Sequence, residues 1–75
     1  MERYRNLSGD SGVARFEIGR GAIIVEFRDG KTYEYTDAKP GAHHVARMKE
    51  LALTGRGLAT YINKHVRNAY ARRIR

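Results

Sequence analysis

The fold is decided by residues 22–36, which read AIIVEFRDGKTYEYT. Every second residue from Ile23 to Phe27 is apolar, which is the period of a half-buried β-strand. Asp29-Gly30 is a strong hairpin signal. Residues Thr32 to Thr36 are aromatic or β-branched at four of five positions, and this composition favours a second strand. The stretch therefore predicts a β-hairpin.

The length of the hairpin loop decides which side chains share a face of the sheet. A two-residue loop of Asp29-Gly30 would place the charged Glu26 opposite Tyr33. A three-residue loop with Gly30 in the left-handed conformation places Val25 opposite Tyr33 instead. Because a slip of one residue turns every side chain to the other face, burial of the apolar set selects the longer loop. We predict a bulged hairpin.

Patterns on both sides of the hairpin predict the rest of the domain. Upstream, alternation from Ala14 to Ile18 predicts one more strand. After Pro40-Gly41 the apolar period becomes helical, with Val45, Met48 and Ala52 on one face, and Gly55-Arg56-Gly57 separates two amphipathic helices. The predicted fold is α+β, a three-stranded antiparallel meander followed by two C-terminal helices packed on one face. The side chains predicted to be buried are Ala14, Phe16, Ile18, Ile23, Val25, Phe27, Leu58, Ile62 and Val66.

The domain organisation is simple. Residues 1–12 are rich in turn formers and are predicted to be a flexible N-terminal arm, and residues 13–75 are predicted to form one domain. The chain has no cysteine, so neither a disulfide framework nor a thiolate metal site supplements its small core. The longest apolar run, residues 22–25, is far too short to span a membrane. With no secretory signal at the N-terminus, a cytoplasmic protein is expected.

The positive charge lies in the second half of the chain. Residues 1–40 carry seven Lys/Arg and seven Asp/Glu, whereas residues 41–75 carry eight Lys/Arg and one acid, Glu50. Such asymmetry is typical of a protein that binds polyanions. The alternative is that the charge serves only solubility.

Residues that could support catalysis are sparse. Ser8 and Ser11 lie in the predicted arm. His43 and His44 are adjacent, so on a helix they point about 100° apart and are poorly placed to share one metal ion. His65 falls within the apolar arc of the second predicted helix, where a packed histidine is expected. We therefore predict that the chain is not an enzyme and holds neither a metal nor another cofactor.

The second predicted helix extends to Arg75, and Lys64, Arg67 and Arg75 form a basic stripe along it. This helix is the best candidate for a nucleic-acid interface, because the stripe has no acid within one turn. The glycine-rich turn before it could also hold a phosphate at a helix N-terminus, although a glycine in a short helix connection has an ordinary structural explanation. Two tyrosines on one face of a strand could stack bases or close the core. The nucleic-acid-binding residues predicted are Arg56, Lys64, Arg67, Asn68, Arg72 and Arg75, and the candidates for base stacking are Tyr33 and Tyr35.

Several short motifs resemble those of one known family, the KTSC domain, a module named after the C-terminus of some lysyl-tRNA synthetases. The hallmark of that family is a central Tyr-x-Tyr. Gly57 and Ala59 depart from the family pattern, which has serine and glycine there. The resemblance implies a small bacterial cytoplasmic α+β module, with RNA binding as its suggested function. The matching residues are Val25-Glu26-Phe27, Gly30, Tyr33-Glu34-Tyr35, Tyr61-Ile62-Asn63, Val66-Arg67 and Tyr70.

From these observations we predict non-catalytic binding of RNA or single-stranded nucleic acid, largely through phosphate contacts. The alternative is a small protein-interaction or homodimerisation module. Such a module would use an exposed apolar surface, for example around Ile24. Neither function requires a membrane.

Overall fold

The hairpin predicted from residues 22–36 lies at the centre of an antiparallel sheet. In the computed structural model, which describes residues 1–75, Val25 pairs with Tyr33. Gly30 has a φ of 93°, and its N–H donates to the carbonyl oxygen of Phe27 at 2.9 Å. The bulged three-residue loop is therefore confirmed.

The sheet has five strands whose spatial order is their order in the sequence, each antiparallel to its neighbour. The α+β class and the antiparallel meander are confirmed, but the meander has two more strands than predicted. The elements are β1 (Glu2–Arg3), β2 (Val13–Gly19), β3 (Ala22–Phe27), β4 (Thr32–Thr36), α1 (Ala42–Thr54), α2 (Leu58–Tyr61), a π-helix (Ile62–Val66) that continues α2, and β5 (Arg72–Arg73).

The C-terminal residues form a strand, so the prediction of a helix reaching Arg75 is wrong. The backbone carbonyl of Glu34 accepts a hydrogen bond from the Ala71 N–H at 2.7 Å, and the backbone carbonyl of Thr32 accepts one from the Ile74 N–H at 2.7 Å. Through these bonds β5 pairs with the free edge of β4. An open sheet edge carries a row of unpaired backbone groups, and an extended tail satisfies them whereas a helix would not.

The N-terminal residues belong to the folded domain, in contrast to the flexible arm expected for residues 1–12. β1 pairs with β2, and Tyr4 is only 3% exposed. The Tyr4 hydroxyl accepts a hydrogen bond from the Leu58 N–H at 3.3 Å, and the Leu7 N–H donates to the Gly55 carbonyl at 2.8 Å. The low apolar content of this segment gives no sign in the sequence that Tyr4 packs into the core.

One face of the sheet and the two helical segments enclose the core. Phe16, Ile23, Val25, Leu58, Ile62 and Val66 are buried as predicted. The full buried apolar set is Tyr4, Val13, Phe16, Ile23, Val25, Tyr35, Val45, Met48, Ala52, Leu58, Ile62 and Val66.

Three side chains of the predicted core are less buried than expected. A β-bulge separates Val13 from Arg15, so Ala14 is the extra residue, and it is half-buried. Ile18 is 39% exposed, since it lies one residue from the end of β2. Phe27 is half-buried at the end of β3. The bulge shifts the phase of the strand, and this shift brings Val13 into the core in place of Ala14.

The other face of the sheet carries ion pairs. The buried carboxylate of Glu26 accepts a hydrogen bond from Arg15 and lies 3.7 Å from the guanidinium of Arg75. Glu34 accepts a hydrogen bond from Arg72 at 2.7 Å. The hydrogen bond from Arg15 lowers the pKa of Glu26, and its burial opposes that effect. Acids from the neutral half of the chain thus neutralise part of the basic tail.

We predict that Tyr4→Ala strongly destabilises the protein. Truncating a buried aromatic side chain costs about 3–5 kcal/mol, a large fraction of the stability of a small domain. Leu7→Ala is the control, because Leu7 is 52% exposed and its truncation leaves the core intact. Urea unfolding measures both variants. Equal stability of Tyr4→Ala and the wild type would show that the segment is an arm.

We also predict that Glu26 makes the fold sensitive to acid. Its pKa is lowered in the folded state, so its stabilisation is present above the ordinary value of 4.5 and is lost as the pH falls through the folded pKa. Glu26→Gln should therefore destabilise the protein near neutral pH and much less in acid. The exposed, unpaired Glu17 provides the control, Glu17→Gln, which should follow the wild type. A pH-independent deficit in Glu26→Gln would contradict this account.

Candidate nucleic-acid interface

An open groove lies between the tip of the β3–β4 hairpin and the second helical segment. Its volume is about 570 Å³, which is within the range of small-molecule sites. The side chains that line it are aromatic, cationic and amide in character. The lining residues are Gly12, Phe27, Arg28, Asp29, Lys31, Tyr33, Tyr35, Ile62, Asn63, Arg67, Asn68 and Tyr70.

The aromatic surface of the groove is built by Tyr33 and Tyr70. Their ring centroids lie 4.6 Å apart, and Phe27 contacts Tyr33 edge-on at 5.9 Å. Tyr33 and Tyr70 are half-buried, so part of their aromatic surface is open to a ligand.

Tyr35, the other predicted stacking residue, is only 1% exposed and belongs to the core. Burial raises its pKa well above the usual range, and the neighbouring Tyr33 and Tyr70 raise it further. The Tyr35 hydroxyl therefore stays neutral, and its ring is not available for stacking. Both tyrosines pair with fully buried residues, Tyr35 with Ile23 and Tyr33 with Val25, but Tyr33 lies two residues nearer to the hairpin tip.

The rim of the groove is cationic. Arg28, from the hairpin loop, and Arg67, from the end of the π-helix, are exposed, and neither forms an ion pair. Lys31 is 3.9 Å from the carboxylate of Asp29, a separation at which exposed charges attract weakly. Two unpaired guanidinium groups therefore flank the aromatic surface.

Two amides, Asn63 and Asn68, complete the lining. Both are exposed, and neither side chain makes a hydrogen bond within the protein. Asn63 lies in the π-helix Ile62–Val66 and Asn68 in the turn after it, and both line the same groove.

The structure brings only part of the predicted nucleic-acid-binding set together. Arg67 and Asn68 line the groove. Lys64 and Arg56 are exposed but lie outside it. The remaining two members, Arg72 and Arg75, are on the C-terminal edge of the sheet and pair with Glu34 and Glu26. The predicted continuous basic stripe does not exist, because the chain leaves the helix after Val66.

Eight of the lining residues were absent from the predicted set, among them Arg28, Lys31, Asn63 and Tyr70. Arg28 and Lys31 flank the Asp29-Gly30 turn, where charged residues are expected on any hairpin. Asn63 and Tyr70 were named from sequence only as matches to the family motifs. These residues come together because the hairpin tip contacts the helical segment, and no pattern within a single segment predicts that contact.

The turn at Gly55-Arg56-Gly57 has a structural role. The first amide of the following helix, that of Leu58, already donates to the Tyr4 hydroxyl. The side chain of Arg5 donates to the Leu53 carbonyl at the end of α1. The N-terminal segment thus engages the Leu58 amide and the last carbonyls of α1.

The three histidines lie near one another on the surface. His44 Nδ1 is 2.7 Å from the Tyr61 hydroxyl, and the His65 ring is 4.6 Å from that of Tyr61. The packing expected for His65 is present as this ring contact, but the side chain is exposed and lies outside the core. No group of three or more His, Cys, Asp or Glu side chains could hold a metal ion.

Comparison with known proteins yields no relative. No protein-family model matches the chain, and neither a curated protein nor a solved structure matches it. The resemblance to the KTSC domain therefore stays a prediction. None of the helices has both the length and the apolar character needed to cross a membrane.

We predict that Gly55→Ala destabilises the fold more than Gly9→Ala. Both glycines have a left-handed φ, 83° at Gly55 and 88° at Gly9, so both substitutions bear a similar strain of about 1–2 kcal/mol. A Cβ on Gly55 would also lie 2.9 Å from the Cβ of Arg5, whereas nothing lies within 4 Å at Gly9. Urea unfolding of the two variants isolates this packing contribution. Equal losses would show that the N-terminal segment is not held against the turn.

Proposed function

We propose that this chain binds RNA or single-stranded DNA in the groove, without catalysis. The observation that carries the proposal is the presence, in one groove, of a tyrosine pair and two arginines that have no acidic partner. Aromatic surface and unpaired cations are the two components of sequence-tolerant single-strand binding.

The groove suits a single strand better than a duplex. The bases of a single strand are free to stack on aromatic side chains, and each stacked base contributes about 1–3 kcal/mol. The volume of about 570 Å³ accommodates roughly one or two nucleotides. The phosphates on either side of a base held against Tyr70 then lie within reach of Arg28 and Arg67, which contribute electrostatic attraction.

The composition of the groove favours binding over catalysis. Its one carboxylate, Asp29, accepts a hydrogen bond from the Lys31 N–H at 3.0 Å and lies near the Lys31 ammonium. No histidine, serine or threonine is among the lining residues. A hydroxyl nucleophile paired with a histidine base, the commonest arrangement for acyl transfer, is therefore missing from this groove.

The motifs that resemble the KTSC domain support the same site. Tyr33, Asn63, Arg67 and Tyr70 come from separate motifs along the chain, and each lines the groove. The alternative of an interaction surface around Ile24 has less support. Ile24 is half-buried and pairs with Glu17 on one side and Glu34 on the other, so carboxylates surround it and no apolar patch forms there.

We predict salt-dependent binding that depends on the two groove arginines. Three to five phosphate contacts to a single strand imply that log affinity falls with log salt at a slope of about −2 to −3.5. Arg28→Ser with Arg67→Ser removes two contacts and should flatten the slope by about 1.4. Fluorescence anisotropy with labelled oligonucleotides over a salt series measures it.

The matched control is Arg56→Ser with Lys64→Ser. It removes the same number of exposed, unpaired cations outside the groove, and should leave the slope near that of the wild type. Two results would overturn the proposal: no measurable binding by the folded wild type at moderate salt, or equal flattening by both double variants.

A further inference from the structure

The groove carries neutral hydrogen-bonding groups that phosphate binding does not require. Asn63 and Asn68 are the amide side chains among the lining residues, and both lack a partner within the protein. A phosphate needs donors alone, whereas an amide presents a donor and an acceptor side by side. That paired arrangement matches the edge of a nucleobase.

We propose that Asn63 and Asn68 read the edge of an unpaired base whose face contacts Tyr33 and Tyr70. This inference rests on the proposed function and names the part of the ligand that gives the site its selectivity. Asparagine pairs with adjacent donor and acceptor atoms of a base, as in its bidentate contact with adenine N6 and N7. In single strands these edges are free.

The two groups of contacts act on different parts of the ligand. Arg28 and Arg67 attract the phosphates, which are the same in every strand and carry no sequence information. The asparagines contact the base, whose donor and acceptor pattern changes from one nucleotide to the next. The arginines therefore set the affinity and its salt dependence, and the asparagines set the preference among bases.

The fold supports this division. Tyr33 is on β4 and Tyr70 follows the π-helix, and their rings pack against each other with an interplanar angle of 38°, so a base can lie only against the open side of the pair. Asn63 and Asn68 are on the helical side of the groove, where they meet the edge of a base held against the pair. Arg28 is on the hairpin side, and the strand can leave the groove in its direction.

The test compares ligands of equal charge with and without bases. Oligomers of A, C and U of one length, together with an abasic ribose-phosphate oligomer of that length, are titrated against the wild type. We expect the tightest homopolymer to bind at least about fivefold more tightly than the weakest. All three homopolymers should bind more tightly than the abasic oligomer, because it offers no ring to stack.

The variant is Asn63→Ala with Asn68→Ala, and the control is Thr60→Ala, an exposed polar residue of the same helical segment outside the groove. The asparagine variant should lose the preference among bases, keep the salt slope and retain the thermal stability of the wild type. The control should keep the preference.

The outcomes separate the two proposals. If the wild type binds none of the oligomers, the proposed function fails. If it binds the abasic oligomer as tightly as the homopolymers, or if its preference among bases persists in the asparagine variant, the base-reading proposal fails while salt-dependent strand binding stands.

Discussion

The register of the β3–β4 hairpin is the constraint on which the other features depend. With Gly30 left-handed, Val25 pairs with Tyr33 and Ile23 with Tyr35, so the tyrosines share the apolar face. The same register sends Glu26 and Glu34 to the opposite face, where they meet arginines. A shift of one residue would exchange these faces, bury two carboxylates against the helices and remove the aromatic surface from the groove.

The two ends of the chain add the edge strands of the sheet on either side of its three central strands. The C-terminal strand pairs with the free edge of β4. Arg72 on this strand and Arg75 just after it form ion pairs with Glu34 and Glu26 of the hairpin. At the other edge, β1 pairs with β2 and places Tyr4 in the core. For a domain of this size, such additions matter because the core buried by three strands and two short helices is small.

The candidate site is assembled from segments that are far apart in sequence. The hairpin tip supplies Arg28 and Tyr33, the π-helix supplies Asn63, and the turn after it supplies Asn68 and Tyr70. Each segment is ordinary when it is read alone. Their meeting creates a groove in which stacking surface, amides and unpaired cations lie together, and this combination is what favours a single-stranded ligand.

The sequence by itself determined those parts of the protein in which apolar residues recur with a single period and so define a single buried face. Alternation from Ile23 to Phe27 and the Asp29-Gly30 signal were enough to predict the register, and helical spacing identified Val45, Met48 and Ala52 as the buried face of α1. Burial of an apolar face is a strong local requirement, so these predictions were correct. Tyr33, Arg67 and Asn68 were also named from sequence, each by its own residue type.

Tertiary structure decided the ends of the chain and the composition of the groove. The stretch after Val66 has helical spacing in the sequence. In the structure Arg72 and Arg73 pair with the edge of β4 as a strand, and Arg72 forms an ion pair with Glu34. Arg28 joins the groove only because the hairpin tip reaches the helix. Both outcomes come from contacts between residues distant in sequence, and such contacts leave no periodic signal in the segments that make them.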